Sequence, residues 1–278
     1  MGSDDAKPGN VSDAINAAAN LAKAVPIYDD ALKPIASETG KALGTVGRVV
    51  NVCLAPVRGL VWSAEYVENW VETRVSKKLE NEPEENIQTP DLAIAGPIIE
   101  SLKFHGQKPE ISEMFASLLA SSMMKNKASS THPSFVDKIR LMSAFDAQVF
   151  AYLAKQQTTS TTNIRRKHKV FTGETELYRF CNEDLLTLAL GKGHKGDEVF
   201  RAVQASIETL VGLGLIVARD DATLTAPQRI KDYEKSEKSD WFSEFVNRGE
   251  VNGFTFSLKR SSVLLTQVGQ NFSKSVFR

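Results

Sequence analysis

Cysteine is almost absent from this sequence. Cys53 and Cys181 are the two present, far apart and without C-x-x-C spacing, which argues against a disulfide framework and for reduced thiols. Net charge is missing too. Lys plus Arg and Asp plus Glu stand at 34 each, so bulk charge selects neither nucleic acid nor an acidic surface, and any basic patch has to be local. Long apolar runs are also lacking, since no window approaches the roughly 18 to 20 uncharged apolar residues of a spanning helix. Met1-Gly2-Ser3-Asp4-Asp5 has neither the basic nor the apolar region of a signal peptide, and Ala6 stands where myristoylation wants Ser or Thr. These absences make a cytoplasmic location the expectation.

Chemistry-bearing patterns are equally sparse. His105, His132, His168 and His194 are scattered without i, i+4 pairing or cysteine neighbours, so a metal site would need ligands gathered only by folding. His132, just before Pro133, reads as a helix-start residue. There is no G-x-S-x-G and no G-x-x-x-x-G-K-[ST]. Gly191-Lys192-Gly193-His194-Lys195-Gly196 matches G-x-G-x-x-G by letter. It lies between two helical patterns, whereas a dinucleotide fingerprint follows a strand. Glu82, Glu84 and Glu85 sit in a turn, a poor place for a carboxylate pair with displaced pKa values. The expectation is no catalytic residue, no cofactor and no metal.

What is present is helical pattern. Residues 1–10 read as a disordered tail. Val11 to Val25 is Ala-rich and helix-prone. Gly40, Gly44 and Gly47 recur at helical spacing, followed by apolar residues, Pro56, Gly59 and Trp62. Small residues four apart let helix backbones approach closely. With Arg48 and Arg58 interrupting it, the passage predicts a Gly-lined helical pair broken at Pro56, and the sharper reading is a segment that inserts into membrane after a trigger. Glu65 to Leu79 predicts an amphipathic helix, ending in an acidic turn. Pro90 and Pro97 are expected to break the chain on either side of Leu92 to Gly96. Pro109 opens a helix with Ile111, Met114, Phe115 and Leu118 on one face, and Thr131 is placed to cap the next.

A new pattern starts at Ser143, which with Asp146 resembles a capping box. A Thr-rich stretch, Thr158 to Thr162, and the basic run Arg165-Arg166-Lys167-His168-Lys169 follow, the run reading as a solvated loop. Asn182 or Glu183 starts a short helix, and Asp197 to Val211 a longer one with Phe200, Val203, Ile207 and Leu210 on one face. Leu215 to Val217, Phe254 to Leu258 and Val263 to Leu265 are strand-like. The insert from about 221 to 253 holds a small amphipathic helix whose Trp241, Phe242 and Phe245 are expected to pack onto the domain. Leu265-Thr266-x-x-Gly269-x-x-Phe272 resembles the ending many winged helix domains share.

Several words in this chain resemble the bacterial Abi-alpha family, linked with abortive infection. They are Val25 to Asp30, Glu38 to Thr45, Pro83-Glu84-Glu85-Asn86-Ile87, Thr89-Pro90, Ala95-Gly96-Pro97, Glu113-Met114-Phe115-Ala116 and His132-Pro133-Ser134-Phe135. They span roughly the first half of the chain. The resemblance implies a phage-defence role and no known chemistry.

The fold class read from all this is mainly α, with an N-terminal helical domain (11–142) followed by a C-terminal winged-helix-like domain (143–278) carrying a small antiparallel sheet and the insert at about 221–253. The function expected is non-enzymatic abortive infection through protein-protein contacts with a phage or host component, self-association being compatible. Gly40, Gly44, Gly47, Pro56, Gly59 and Trp62 form the candidate effector segment, which would meet membrane after triggering. The alternative is a winged-helix DNA-binding regulator. Its nucleic-acid contacts would be Arg165, Arg166 and Lys167 with Arg201 on the recognition helix, although one Arg beside two Glu is a weak surface for a polyanion.

Overall fold

The computed structural model describes residues 64–170 and 172–277. The expected tail at 1–10 and the candidate effector residues Gly40, Gly44, Gly47, Pro56, Gly59 and Trp62 lie outside the described residues. Helix α1 (Ala64–Trp70) passes through a π turn (Val71–Val75) into α2 (Ser76–Leu79). Trp70, Val71, Val75 and Leu79 bury the inner face, and the Trp70 indole donates to Ser112 Oγ at 2.8 Å.

Helix α3 (Leu92–His105) starts at Asp91, whose carboxylate accepts from Ala93 N at 2.8 Å. Pro97 does not break it but lies inside it. An interior proline costs about 3 kcal/mol, yet Ile94, Ala95, Ile98, Ile99 and Leu102 are all buried on this helix, and each large apolar side chain so buried returns about 1.5–3 kcal/mol. Packing wins over propensity.

Helix α4 (Pro109–Ser122) opens on Pro109 as expected and is buried nearly all round. Its serines matter as much as its apolar face. Ser112, Ser117, Ser121 and Ser122 are small enough for neighbours to approach, and Ser121 Oγ donates to Ser275 O of the final helix at 2.9 Å. Short α5 (Lys125–Ala128) and α6 (Ser134–Arg140) follow. Thr131 does not cap α6, because its hydroxyl turns back to Ala128 O at 2.7 Å. His132 Nδ1 instead accepts from Ser134 N at 3.1 Å, taking one of the orphan donors of the first turn.

Ser143 begins α7 (Ala144–Gln156) with a complete capping box, Ser143 Oγ accepting from Asp146 N at 3.0 Å and Asp146 accepting from Ser143 N at 2.8 Å. Next come β1 (Thr158–His168), β2 (Glu174–Cys181), α8 (Glu183–Gly191), α9 (Asp197–Gly212) and β3 (Ile216–Arg219). The insert supplies α10 (Pro227–Glu237) and α11 (Asp240–Val251), and β4 (Phe254–Leu265) and α12 (Gln267–Val276) finish the chain. The sheet is antiparallel in the order β2-β1-β4-β3.

Three expectations change here. The Thr-rich stretch and the basic run up to His168 are one central strand, not a stretch and a loop, because β1 gains ladders from both β2 and β4. The two strands expected at 254–258 and 263–265 are one, since Lys259 and Arg260 keep register opposite Asn163 and Thr162. Strand β2, with its exposed glutamates, has no counterpart in the sequence reading.

The aromatics of the insert do pack inward. Phe245 is buried beside Tyr178, Phe200 and Phe256, and Tyr233 is fully buried with its hydroxyl donating to Ser261 O at 2.7 Å. At the start of α12, Thr266 Oγ1 accepts from Gly269 N at 2.8 Å. A Cβ on Gly269 would fall 1.9 Å from Leu215 O, so the helix can come this close only with glycine there. Apart from Tyr233, the buried apolar residues between Val67 and Val276 form one cluster, which continues from Met142 to Ala147 across the start of α7.

Candidate functional site

The expected nucleic-acid contacts fall on the sheet and on α9. Arg165 is committed inside the protein, bonding Glu174 at 2.9 Å and Glu176 at 3.5 Å across the β1–β2 ladder. Arg166 points to the opposite face and stacks on Phe254, 4.8 Å from the ring centre. Lys167 is exposed near the end of β1. Arg201 is exposed on α9 beside the Tyr178 hydroxyl and Asp197. The structure thus spreads the four over two sheet faces and a helix, and it neutralises the first.

Asn163 is the centre of that part of the sheet. It is fully buried at irregularities in the β1–β2 register. Its Oδ1 accepts from Phe180 N at 3.0 Å and Ser261 Oγ at 3.1 Å, while its Nδ2 donates to Asp220 at 3.0 Å and Glu176 at 3.3 Å. Phe180 has φ +56°, so the side chain of Asn163 meets a backbone N–H that the bulge has turned away from the ladder. Arg179 pairs with Asp220 and lies 3.6 Å from Glu176. Burial alone would raise the Asp220 pKa, but the bonds from Asn163 and Arg179 outweigh it and hold the carboxyl below its usual range. The carboxylates and the Asn163 amide are bonded within the network, while Arg165 Nε and Arg179 Nε are buried without a hydrogen-bond partner among the described residues.

A polar cleft of about 350 Å³ lies between α7, α8 and α10. Tyr152 donates to Asp184 at 2.8 Å, and burial followed by that carboxylate pushes its pKa up. Arg229 reaches Gln156 O at 3.0 Å and Asp232 at 3.3 Å, and Glu183 accepts from the Trp241 indole at 2.7 Å. These groups satisfy one another, which is what a structural network does.

The opposite holds where α2, α4, α7 and α12 meet. Two adjoining concavities of about 380 and 510 Å³ share Lys78 and Glu113. Thr73 and Arg74, both in the π turn, line one end with Lys77. Lys155 and Lys274 flank the other, over a floor of Ala151, Ala154, Val276 and Phe277. Among the described residues Glu113 is the sole carboxylate lining this groove, and it bonds Arg74 at 3.3 Å and pairs with Lys78. Lys77, Lys155 and Lys274 are exposed and have no carboxylate partner among the described residues. Nothing in the sequence announces this surface, because its cations come from separate elements. The π turn adds a structural hint, since such turns recur at functional sites.

Gly191 to Gly196 forms the end of α8 and the turn into α9, with positive φ at Gly193 and Gly196. Among the described residues no group of His, Cys, Asp and Glu could hold a metal ion, and no helix is long and apolar enough to cross a membrane. Cys181 is fully buried, which pushes its thiol pKa up.

Comparison with known proteins gives one strong likeness. A family model described as abortive infection alpha matches residues 63–276. That match takes in the sheet and final helix, beyond the first half of the chain where the resembling words were found. The words at 25–30 and 38–45 lie before it. No curated protein matches. A solved structure, of an uncharacterized protein from the hydrocarbon-degrading marine bacterium Alcanivorax borkumensis SK2, is 14% identical with a TM-score of 0.29. It covers 53% of this chain and 92% of its own, a likeness too slight to carry an argument.

Proposed function

The chain belongs to the abortive infection alpha family, and from that membership we propose that it is a phage-defence protein acting without catalysis, through contacts with a phage or host protein. The observation that carries this reading is the family match over residues 63–276, which includes every described helix and all of the sheet. The carboxylates of the sheet network and of the polar cleft are held by neighbouring side chains, which supports a binding rather than a catalytic role.

The part from Ser143 onward reads as a winged-helix-like module. Supporting this are the order helix, strand, two helices, strand, strand, helix, with β2 and the α10–α11 insert added, and the placing of β4 between β1 and β3. With Arg165 paired and Arg166 on an aromatic ring, the module suits protein contacts or scaffolding better than DNA. The effector role, including any encounter with membrane after triggering, is assigned to Gly40 to Trp62.

The test is a phage challenge of cells carrying the gene. Survival at low multiplicity with collapse of the culture at high multiplicity is expected, and Gly44→Leu or Gly47→Leu should abolish it. No protection against a broad phage panel would sink the defence reading. Protection intact in both glycine variants would remove the segment from the mechanism.

A further inference from the structure

We propose that the groove between α2, α4, α7 and α12 binds an acidic segment of a protein partner, with an apolar side chain of that segment on the floor and its carboxylates on Lys77, Lys155 and Lys274. The argument starts from unmet charge. Five cations line the groove with one carboxylate, and Glu113 is already engaged with Arg74 and Lys78. Three lysines remain with no carboxylate partner among the described residues. Lys155 and Lys274 flank one concavity and Lys77 the adjoining one, and like charges gathered in this way favour an added anion.

Shape then selects among anions. The floor is small and apolar, made by Ala151, Ala154, Val276 and Phe277. It lines an open concavity, whereas binding in a membrane surface buries the broad apolar face of an amphipathic helix. Single-stranded nucleic acid needs aromatic faces on which bases stack. Phe277 is the one aromatic lining the groove, and its ring already lies 5.7 Å from that of Phe150. A peptide meets both demands, giving a side chain to the recess and carboxylates to the rim. Thr73 and Ser273 along the groove donate their hydroxyl protons to Asn69 O and Gln270 O, which leaves their oxygens to accept from backbone N–H groups of the segment. The π turn that carries Thr73 and Arg74 sets the wall.

This inference rests on the protein-contact part of the proposed function. It is tested on purified protein, so it can fail while phage defence stands, and the reverse.

The experiment is fluorescence anisotropy with the full chain and a short fluorescein-labelled peptide, a central Leu-Leu pair flanked by glutamates. A second peptide with glutamine for each glutamate, a labelled DNA duplex, a labelled single strand and phosphatidylglycerol vesicles serve as competing probes. Saturable binding of the acidic peptide is expected, weakened at least about tenfold by K155E with K274E, and again by salt, because rim charges act through long-range attraction. K231E, on exposed α10 far along the chain, should leave it unchanged. Ala154→Trp should weaken binding by filling the floor, with circular dichroism and melting checking that the variant folds. Absence of saturable binding, equal binding of the glutamine peptide, indifference to the K155E/K274E pair, or tighter binding of nucleic acid or vesicles would each overturn the proposal.

Discussion

Two charged regions of this protein behave in opposite ways in the fold. The β1–β2 face carries Arg165 and Arg179 among Glu174, Glu176 and Asp220, and each arginine is held by carboxylates across or beside the ladder. The groove carries Lys77, Lys155 and Lys274 with no carboxylate partner among the described residues. The contiguous basic run, which draws the eye, is partly spent on holding the sheet. The scattered lysines, which do not, are the ones left facing outward together. A run of charge in sequence therefore says little about unmet charge in space, because a strand places its partners on its neighbours while a helix sends residues to whichever face its period dictates.

The largest effect expected is at the centre of the sheet network. Asn163→Leu keeps the approximate size of the side chain but takes the Asn163 bond from Phe180 N, while Ser261 Oγ and Asp220 each lose one partner and keep Thr161 Oγ1 and Arg179. A buried group left unsatisfied costs about 1–3 kcal/mol, and each further lost bond about 1. A net loss of about 3 kcal/mol is expected, read as a lower urea midpoint at unchanged slope. A loss below about 1 kcal/mol would break the comparison, since the sheet network would then matter no more than an exposed ion pair.

Acid sharpens the same contrast. The folded pKa of Asp220 is lowered from 3.8, its bonds from Asn163 and Arg179 outweighing burial, and Glu110 is lowered from 4.5, chiefly by a backbone N–H at the start of α4 and by Lys192. A depressed carboxyl contributes stability that is fully present above its unfolded pKa and is lost as pH falls through the folded one. Wild type should therefore lose stability as pH falls below about 4, and Asp220→Asn should be less stable at neutral pH but flatten that acid limb. Urea titrations across pH 7 to 2 read both. An unchanged acid limb in the variant would show that Asp220 is not held by the network.

Much of the helical frame was legible. Pro109 at the first helical position, the Ser143–Asp146 capping box and the α9 face of Phe200, Val203, Ile207 and Leu210 all lie where pattern places them. Local chemistry sets these features, so local sequence carries them. What escaped depends on partners distant in the chain. Thr158 to His168 is polar and basic, and it is a strand only because β2 and β4 cover its edges. Pro97 sits within α3 because buried neighbours hold the turn around it. Tyr233 stands in a charged helix and is fully buried, since that helix lies against the Ser- and Thr-rich part of β1 and β4. The groove is the extreme case, for its cations at 74–78, 155 and 274 share no local signal at all.

The smallest stability effects should separate the regions most cleanly. Arg165→Gln breaks two partly exposed ion pairs, 2.9 and 3.5 Å long, and about 0.5 kcal/mol of stability should be lost. The combined variant Lys77→Ser, Lys155→Ser and Lys274→Ser breaks no ion pair among the described residues. Each lysine stands in the last turn of its helix, so what is lost should be helix propensity and end-of-helix charge, about 1 kcal/mol in all, with relief of mutual repulsion offsetting part of it. Salt separates the two further. Added salt should erode what Arg165 contributes and should stabilise the wild-type groove by screening its lysines, an effect absent from the serine variant. Denaturation of the three proteins at low and high ionic strength reads all of this. If the serine variant lost more than about 2 kcal/mol, or if added salt weakened the wild type more than the serine variant, the lysines would be structural after all, and the groove would lose its claim to be a surface built for something else.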